Sequence, residues 1–336
     1  MSPKSFKWCQ RTIEMVNKNE KLQYNEKKLT QVNYRPFFKQ WLYRDKILNW
    51  SNYLQFNIFP DKETFNPTIT VTGVGAGTGF STLMVNQPPD LHYLSTSQCF
   101  PLKCIRRNSK DGAIFSNLRN PSEIFTSNII PKFLTQVQKQ FDREEILDSH
   151  LFYYIYAILH SIEYRDKYSN NLSKELPRIP IVKNKNDFFD FYNAGLKLSE
   201  LHIGYEGVDP YPTVFREGDL RFAHIDDPKS FFRVKKMKFP KKNDKSTVIY
   251  NKNITIQNIP LDAYEYVVNG KSALEWVMDR QVDKTDTKSG IKNDANDYAN
   301  ETMNNPAYPL ELFQRIITVS LETMKIVKSL PSLDID

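Results

Sequence analysis

Several features that would fix a chemistry are missing from this chain or scarce in it. Of its 336 residues only three are cysteines, Cys9, Cys99 and Cys104. Three cannot build a disulfide framework, so a reducing compartment is expected. Cys99 and Cys104 also lack the further ligands a zinc site requires. The five histidines, His92, His150, His160, His202 and His224, are scattered without metal-ligand spacing, so no metal is expected. No apolar run approaches the ~20 residues of a membrane helix. The opening stretch MSPKSFKWCQRTIEMVNKNEK has no signal-peptide core, and the expectation is a cytoplasmic protein without a membrane partner. No internal repeat and no nucleophile elbow is visible, so no catalytic residue is assigned.

What is present is bulk, aromatic rings and positive charge. The length allows one large domain or two. Hydrophobic content of 40% and charged content of 25% are ordinary for a globular chain, but 22 Phe and 18 Tyr are many. They imply thick cores and stacking surfaces. A net charge of +7 fits a polyanion-binding protein. A lysine-rich source proteome accounts for it equally well.

The greasiest stretch is Leu151 to Leu159, nine consecutive apolar or aromatic residues inside SHLFYYIYAILHSIEYRDKY. A helix apolar on every side belongs in the middle of a domain. One central helix is expected over Ser149 to Tyr168, capped by Asp148 or Ser149, with Pro177 and Pro180 barring continuation. His160 reads as a packing or capping residue inside it. Further helices are expected at Ile130 to Phe141, Asp187 to His202, SALEWVMDRQ and PLELFQRIITVSLETMKIVKSL. In the last, Leu310, Phe313, Ile317, Leu321, Met324 and Val327 recur at steps of three and four. Residues 1–30 read as a charged helical lead-in. Strands are expected at Tyr53 to Phe59, Ile69 to Val74, Gln98 to Arg107, and through Thr213 to Tyr266. The clearest is TVIYNKNITI, two β-branched runs around an Asn-Lys-Asn turn. The polar stretch Asp283 to Asn305 reads as loop. Strands, helices, strands, helices is the order of an α+β fold, with mixed or antiparallel sheet pieces, a buried central helix and a helical C-terminal part.

Three look-alike motifs fail on their context. GVGAGTG, Gly73 to Gly79, looks like a dinucleotide loop, but Pro88-Pro89 follows too soon for the helix such a loop must open. A backbone loop that approaches a partner closely is the better reading. NGKS, Asn269 to Ser272, lacks the first glycine of a phosphate loop, because Glu265 stands there. Asn-Gly then reads as a turn or helix entry, and Ser272 as a helix cap. QPPD, Gln87 to Asp90, lacks the leading Asn or Asp and the stacking aromatic of an amino-methyltransferase.

Basic residues interleaved with aromatics remain. One set is Tyr34, Arg35, Pro36 and Phe37 with Lys39, Trp41 and Arg44. A second is Arg106-Arg107. The third packs seven Lys or Arg between Arg233 and Lys245, including Lys235, Lys236, Lys238, Lys241 and Lys242. Each alone is more often a solvated face. Together they favour nucleic acid, since Lys and Arg neutralise phosphates and Arg reads guanine edges. Thr78 and Ser81 in the glycine-rich loop are further candidates for hydrogen bonds to a phosphate or a base edge.

YRPF…WLY, Tyr34 to Tyr43, resembles the YRPFD-x-R-W-x-Y segment that follows the methyltransferase core in several restriction-modification enzymes. GVGAGTGFS, QCFPL, LFYYIYAILHSIEYRDKY, LSKELPRIPIV, AGLKLSELHIGYE, YEYVVNGKSALEWVMDRQ, KTDTKSGIKNDAND and the Ile317 to Pro331 end resemble, in order, blocks of the C-terminal target-recognition region of Type ISP restriction-modification enzymes. The likeness runs from about Val32 to the end. Phe38 and Gln40 depart from it, standing where the pattern has Asp and Arg, so no contact is carried over to them.

The resemblance implies one long polypeptide with a nuclease, a helicase-like ATPase and an adenine methyltransferase, of which this chain is the DNA-reading part. S-adenosylmethionine, ATP and Mg are then expected only in those other domains, with no cofactor here. The chain is expected to divide into a lead-in (1–30), a recognition core (31–212) and a strand-then-helix part of the same region (213–336). Two alternatives stay open: a scaffold joining methyltransferase and translocase with little DNA affinity, and a methyltransferase fragment using GVGAGTG.

Overall fold

A computed structural model of the chain describes residues 10–49, 52–106, 124–143, 145–220, 224–287 and 290–335. It divides into two compact units that interleave along the sequence. The first comprises Met1–Leu29, Tyr34–Trp50 and Gly204–Lys325; the second comprises Thr30–Asn33, Ser51–Ile203 and Ile326–Asp336. The fold is α+β, built from helices and several small sheets.

The first described element is α1 (Gln10–Asn17), followed by β1 (Leu29–Arg35) and β2 (Phe38–Tyr43), which form a two-stranded sheet. Among the described residues the helical lead-in is thus only two turns long, and residues 18–25 are irregular. The turn between β1 and β2 holds Phe37 at φ 56°, a region non-glycine residues avoid. Its ring is buried and meets Tyr205 edge-on at 5.5 Å and Tyr266 at 6.4 Å. That aromatic burial offsets the backbone cost.

The second unit contains α2 (Gln55–Ile58), β3 (Thr68–Val71), β4 (Thr82–Val85), β5 (Gln98–Pro101), β6 (Lys103–Arg106), β7 (Ile124–Ser127), α3 (Pro131–Phe141), α4 (Asp148–Ile158), α5 (Ile162–Lys167), α6 (Ser169–Leu172) and α7 (Lys185–Ile203). Tyr53 to Phe59 reads as a strand but closes into α2, whose local turn buries Ile58 and Phe59 and exposes Tyr53 and Leu54. In the antiparallel sheet β4-β3-β5, Ile69 pairs with Met84 and Phe100. β3 and β4 are buried at every position, which is why their sequence does not alternate. The strand expected over Gln98 to Arg107 is split between β5 and β6 at Leu102. There the Asn66 amide clasps both main-chain groups of Lys103, at 2.8 Å and 3.1 Å.

Leu151, Phe152, Tyr154, Tyr156, Ala157 and Ile158 of α4 are buried, with Tyr153 and Ile155 packed against the same core. The helix does not run to Tyr168, however. It stops at Ile158, and Ser161 starts α5 by accepting from the Tyr164 N–H. Side chains satisfy the carbonyls freed by the break. His160 Nδ1 bonds the Tyr156 carbonyl at 2.9 Å, and Arg165 Nε donates to the Leu159 carbonyl at 2.7 Å. Nor do Asp148 and Ser149 cap the start; His150 Nδ1 accepts the Leu147 N–H at 2.9 Å. Helix α7 lies against α4 so closely that a Cβ on Gly195 would stand 1.8 Å from the Tyr153 carbonyl oxygen.

The first unit resumes with β8 (Val214–Phe215), α8 (Pro228–Phe231), β9 (Val248–Ile249), β10 (Thr255–Gln257), β11 (Val267–Val268), β12 (Lys271–Ser272), α9 (Ala273–Arg280), β13 (Asp283–Thr285), β14 (Lys292–Asp294), α10 (Ala295–Asp297) and α11 (Tyr308–Lys328) as far as Lys325. β9 and β10 are the two arms of the Asn-Lys-Asn hairpin, with Thr255 opposite Ile249. Asn269 (φ 51°) and Gly270 (φ 79°) turn β11 into β12, the positive angles a two-residue hairpin demands. Ser272 then caps α9 in a reciprocal box with Glu275, worth on the order of 1 kcal/mol. Asp283 to Asn305 is not loop. It holds the β13–β14 hairpin, α10 and a π-helical turn at Tyr298–Thr302. In α11 the buried surface does not follow the expected stripe: Leu310, Phe313, Ile317 and Val327 are buried, Leu321 and Met324 are only half-buried, and Leu312, Ile316, Val319, Ser320 and Thr323 are buried as well.

Candidate nucleic-acid interface

The cationic segment Arg233 to Lys245 belongs to the first unit. Val234 and Met237 are buried at 0% and 2% exposure, and these two anchors force the neighbouring side chains outward. Lys235, Lys236, Lys238, Lys241 and Lys242 are all exposed, and among the described residues none of the five is in an ion pair. The two ends of the segment, by contrast, are neutralised. Arg233 reaches Asp283 and Asp294, each at 2.6 Å, and Lys245 reaches Glu275 at 3.3 Å. Five uncompensated ammonium groups on one stretch of backbone make a surface suited to a polyanion. A cleft of about 470 Å³ beside it is lined by Lys236, Lys238, Phe239, Gly270, Lys271 and Met278 among others. There Lys271 is paired with Asp279.

The segment's backbone is held over its first half, from Val234 to Lys238. Lys238 exchanges main-chain bonds with Ile249, at 3.1 Å and 2.9 Å. The Asn296 side chain takes the Val234 N–H at 2.9 Å and donates to the Val234 carbonyl at 2.8 Å. The Asp283 N–H reaches the Lys235 carbonyl at 3.0 Å. Asp294, its side chain 1% exposed, also accepts from Lys292 at 2.8 Å. Burial alone would raise the Asp294 carboxyl; hydrogen bonds from Lys292, Asn296 and Arg233 outweigh it and hold it at about 2. The sequence reading missed Asp283, Asp294 and Asn296. The available signal was Asp294-Ala-Asn296, where Asp294 caps α10 by accepting the Asn296 N–H.

The other candidates fall in different surroundings. In the first unit, the Arg35 guanidinium lies 4.1 Å from the Tyr34 ring centre and donates to the Tyr34 carbonyl. Lys39 is turned inward, its side chain 11% exposed and 2.6 Å from Glu206. Arg44 is buried. Trp41 is half exposed, its indole N–H bonded to Thr302 at 2.9 Å. In the second unit, the glycine-rich stretch is the tip of the β3–β4 hairpin. No helix follows it, and Gly75 and Gly79 have φ of 77° and 76°. A Cβ on Gly73 would meet the Thr96 carbonyl at 2.4 Å. Thr78 is exposed and donates to Ser95. Ser81 is buried and continues the ladder by accepting from the Thr72 N–H at 3.0 Å. A cleft of about 260 Å³ beside this tip is lined by Gly73, Ala76, Gly79, Phe80 and Arg165 among others. The sequence did not single out Arg165, whose guanidinium sits 5.7 Å from the Phe80 ring centre. Arg106 ends β6, and Arg107 lies outside the described residues. Among the described residues, no three His, Cys, Asp or Glu side chains gather as metal ligands, and no helix is long and apolar enough to cross a membrane.

Comparison with known proteins places this architecture. The model of the Type ISP C-terminal specificity domain matches residues 1–312. The chain belongs to this family. As a Type ISP specificity domain it is similar to three solved structures over nearly its whole length. A nuclease-deletion mutant of the Type ISP restriction-modification enzyme LlaGI, in complex with a DNA substrate mimic, is 35% identical with a TM-score of 0.77, over 98% of this chain and 27% of that one. The ATP-dependent Type ISP enzyme LlaBIII, bound to DNA, is 31% identical with a TM-score of 0.82, over 99% and 20%. DrdV, in a complex with DNA, is 27% identical with a TM-score of 0.78, over 98% and 31%. The specificity domain therefore spans between a fifth and a third of those chains. No curated protein matches it.

Proposed function

We propose that this specificity domain binds duplex DNA and supplies target recognition to a cytoplasmic restriction-modification enzyme. Adenine methylation, ATP-driven translocation and cleavage would reside in its other domains, together with S-adenosylmethionine, ATP and Mg. The observation that carries the reading is the row of five exposed lysines, Lys235, Lys236, Lys238, Lys241 and Lys242, in no ion pair among the described residues, the first three on a backbone clasped from Val234 to Lys238. Phosphate contacts from this row fix register, and side chains on neighbouring loops read base edges. Arg35, Thr78 and Arg106 remain candidates for such contacts. Lys39, Arg44 and Ser81 serve the fold, given their burial and partners.

The experiment is titration of labelled duplex DNA at several salt concentrations. Affinity should fall steeply as salt rises, because each neutralised phosphate releases counterions. Absence of binding at low salt would sink the reading and favour a scaffold that joins the other domains.

A further inference from the structure

Asn296 has an unusual relation to the lysine row. It is 2% exposed, and its carboxamide serves both main-chain groups of Val234, acting where a neighbouring strand would otherwise pair. Its own geometry is fixed from behind by Asp294 Oδ1, which accepts from the Asn296 main-chain N–H at 2.9 Å and from Nδ2 at 2.6 Å. The other Asp294 oxygen holds Arg233 and Lys292. Residues 233, 234 and 235 are thus each gripped by the β13–β14–α10 stretch. Arg233 is held by its side chain, Val234 by both main-chain groups and Lys235 by its carbonyl. The backbone is irregular from 233 to 237 and bridges Ile249 at Lys238, so these bonds, and not a strand ladder, hold Val234 inward with Lys235 and Lys236 outward.

We propose that Asn296, oriented by Asp294, is a positioning residue that sets the register of the Lys235–Lys238 backbone, so that DNA meets a preformed row of ammonium groups. The inference rests on the DNA-binding reading above. Its physical content is preorganisation: the backbone is ordered on folding, so binding does not bear that entropy cost.

The test is a double-mutant cycle on the full chain, with a labelled mixed-sequence duplex as the probe. The proteins are wild type, Asn296→Ala, the triple variant Lys235→Gln, Lys236→Gln, Lys238→Gln, and the combination. Asn296→Ala should weaken binding about tenfold, and in the triple background it should add almost nothing, because the three ammonium groups it positions are gone. Additive losses, or wild-type affinity in Asn296→Ala, overturn the inference and leave the DNA-binding reading intact. A triple variant that binds as wild type does overturns the inference by placing the DNA on another face, whereas a wild-type chain that binds no duplex at low salt removes the DNA-binding reading as well. Asp294→Asn is the second variant, nearly isosteric and independent of whether Asn296→Ala folds. Removing one acid raises the net charge, which by long-range electrostatics strengthens DNA binding. Lost positioning weakens it, so the sign of the change decides.

Discussion

Lys39 Nζ stands 2.6 Å from Glu206 Oε2, and the Tyr308 hydroxyl donates to the other oxygen of that carboxylate, also at 2.6 Å. Burial, with the Glu206 charge beside it, pushes the Tyr308 phenol well above its ordinary value. A lysine that reads in sequence as a phosphate contact is therefore one arm of an internal triad. Its side chain is 11% exposed and that of Glu206 is 19%. Lys39→Gln should lower unfolding stability by on the order of 2–3 kcal/mol, because Glu206 is left without its cation in a partly buried site. The slope of DNA affinity against salt should stay at its wild-type value. A denaturation midpoint equal to wild type, with a shallower salt slope, would reassign Lys39 to the surface.

The lysine row has the opposite signature. Lys235, Lys236 and Lys238 are exposed and support no ion pair among the described residues, so replacing them with Gln should leave the melting temperature nearly unchanged. Each phosphate that is no longer neutralised should reduce the slope of log K against log salt by about 0.9, giving a drop of about 2–3 for the triple variant. Affinity measured at four salt concentrations gives the slope directly. An unchanged slope would place the DNA on another face.

How much of this was legible in the residues follows from what each feature depends on. The hairpin around Lys252, the Asn269-Gly270 turn and the Ser272 cap are local, and local spacing is enough to read them. The buried α4 was legible because nine apolar residues in a row leave a helix no solvent face. Its break was not, since it depends on His160 and Arg165 taking over two carbonyls. The lysines were legible as charge, but the clasp that orients them joins Val234 to Asn296, 62 residues on. The same limit explains Lys39, whose partner Glu206 lies 167 residues away. Composition shows a cation and says nothing of whether a carboxylate waits for it.

Gly195 tests the packing that supports the second unit. A Cβ there would lie 1.8 Å from the Tyr153 carbonyl oxygen and 2.7 Å from its carbon, both main-chain atoms that cannot rotate aside. Gly195→Ala must therefore push α7 off α4, despite alanine's better helix propensity of about 1 kcal/mol. The net change should be a loss on the order of 2–4 kcal/mol, as overpacking against backbone in a dense core costs more than propensity returns. A urea midpoint equal to or above that of wild type would contradict the contact.

Acid should unfold the second unit through two histidines. His160 and His202 are 2% and 3% exposed, with rings 5.4 Å apart, and Tyr156 serves both. The Tyr156 hydroxyl meets His202 Nδ1 at 2.6 Å, while its carbonyl meets His160 Nδ1 at 2.9 Å. Burial, with the Arg165 cation nearby, depresses His202 to about 3, and burial, Arg165 and His202 depress His160 well below its ordinary value. Both folded-state values lie under the ~6.5 of an unfolded histidine. Below that pH the unfolded chain binds more protons than the folded one. The stability these groups contribute is therefore fully present above ~6.5 and is lost as the pH falls, by up to about 1.4 kcal/mol per pH unit for each histidine. Urea midpoints at pH 7.5, 6 and 5 should fall in that order. His202→Gln, which removes one titrating ring, should flatten the dependence. Equal midpoints at pH 7.5 and 5 would mean that protons reach these rings without unfolding the core around them.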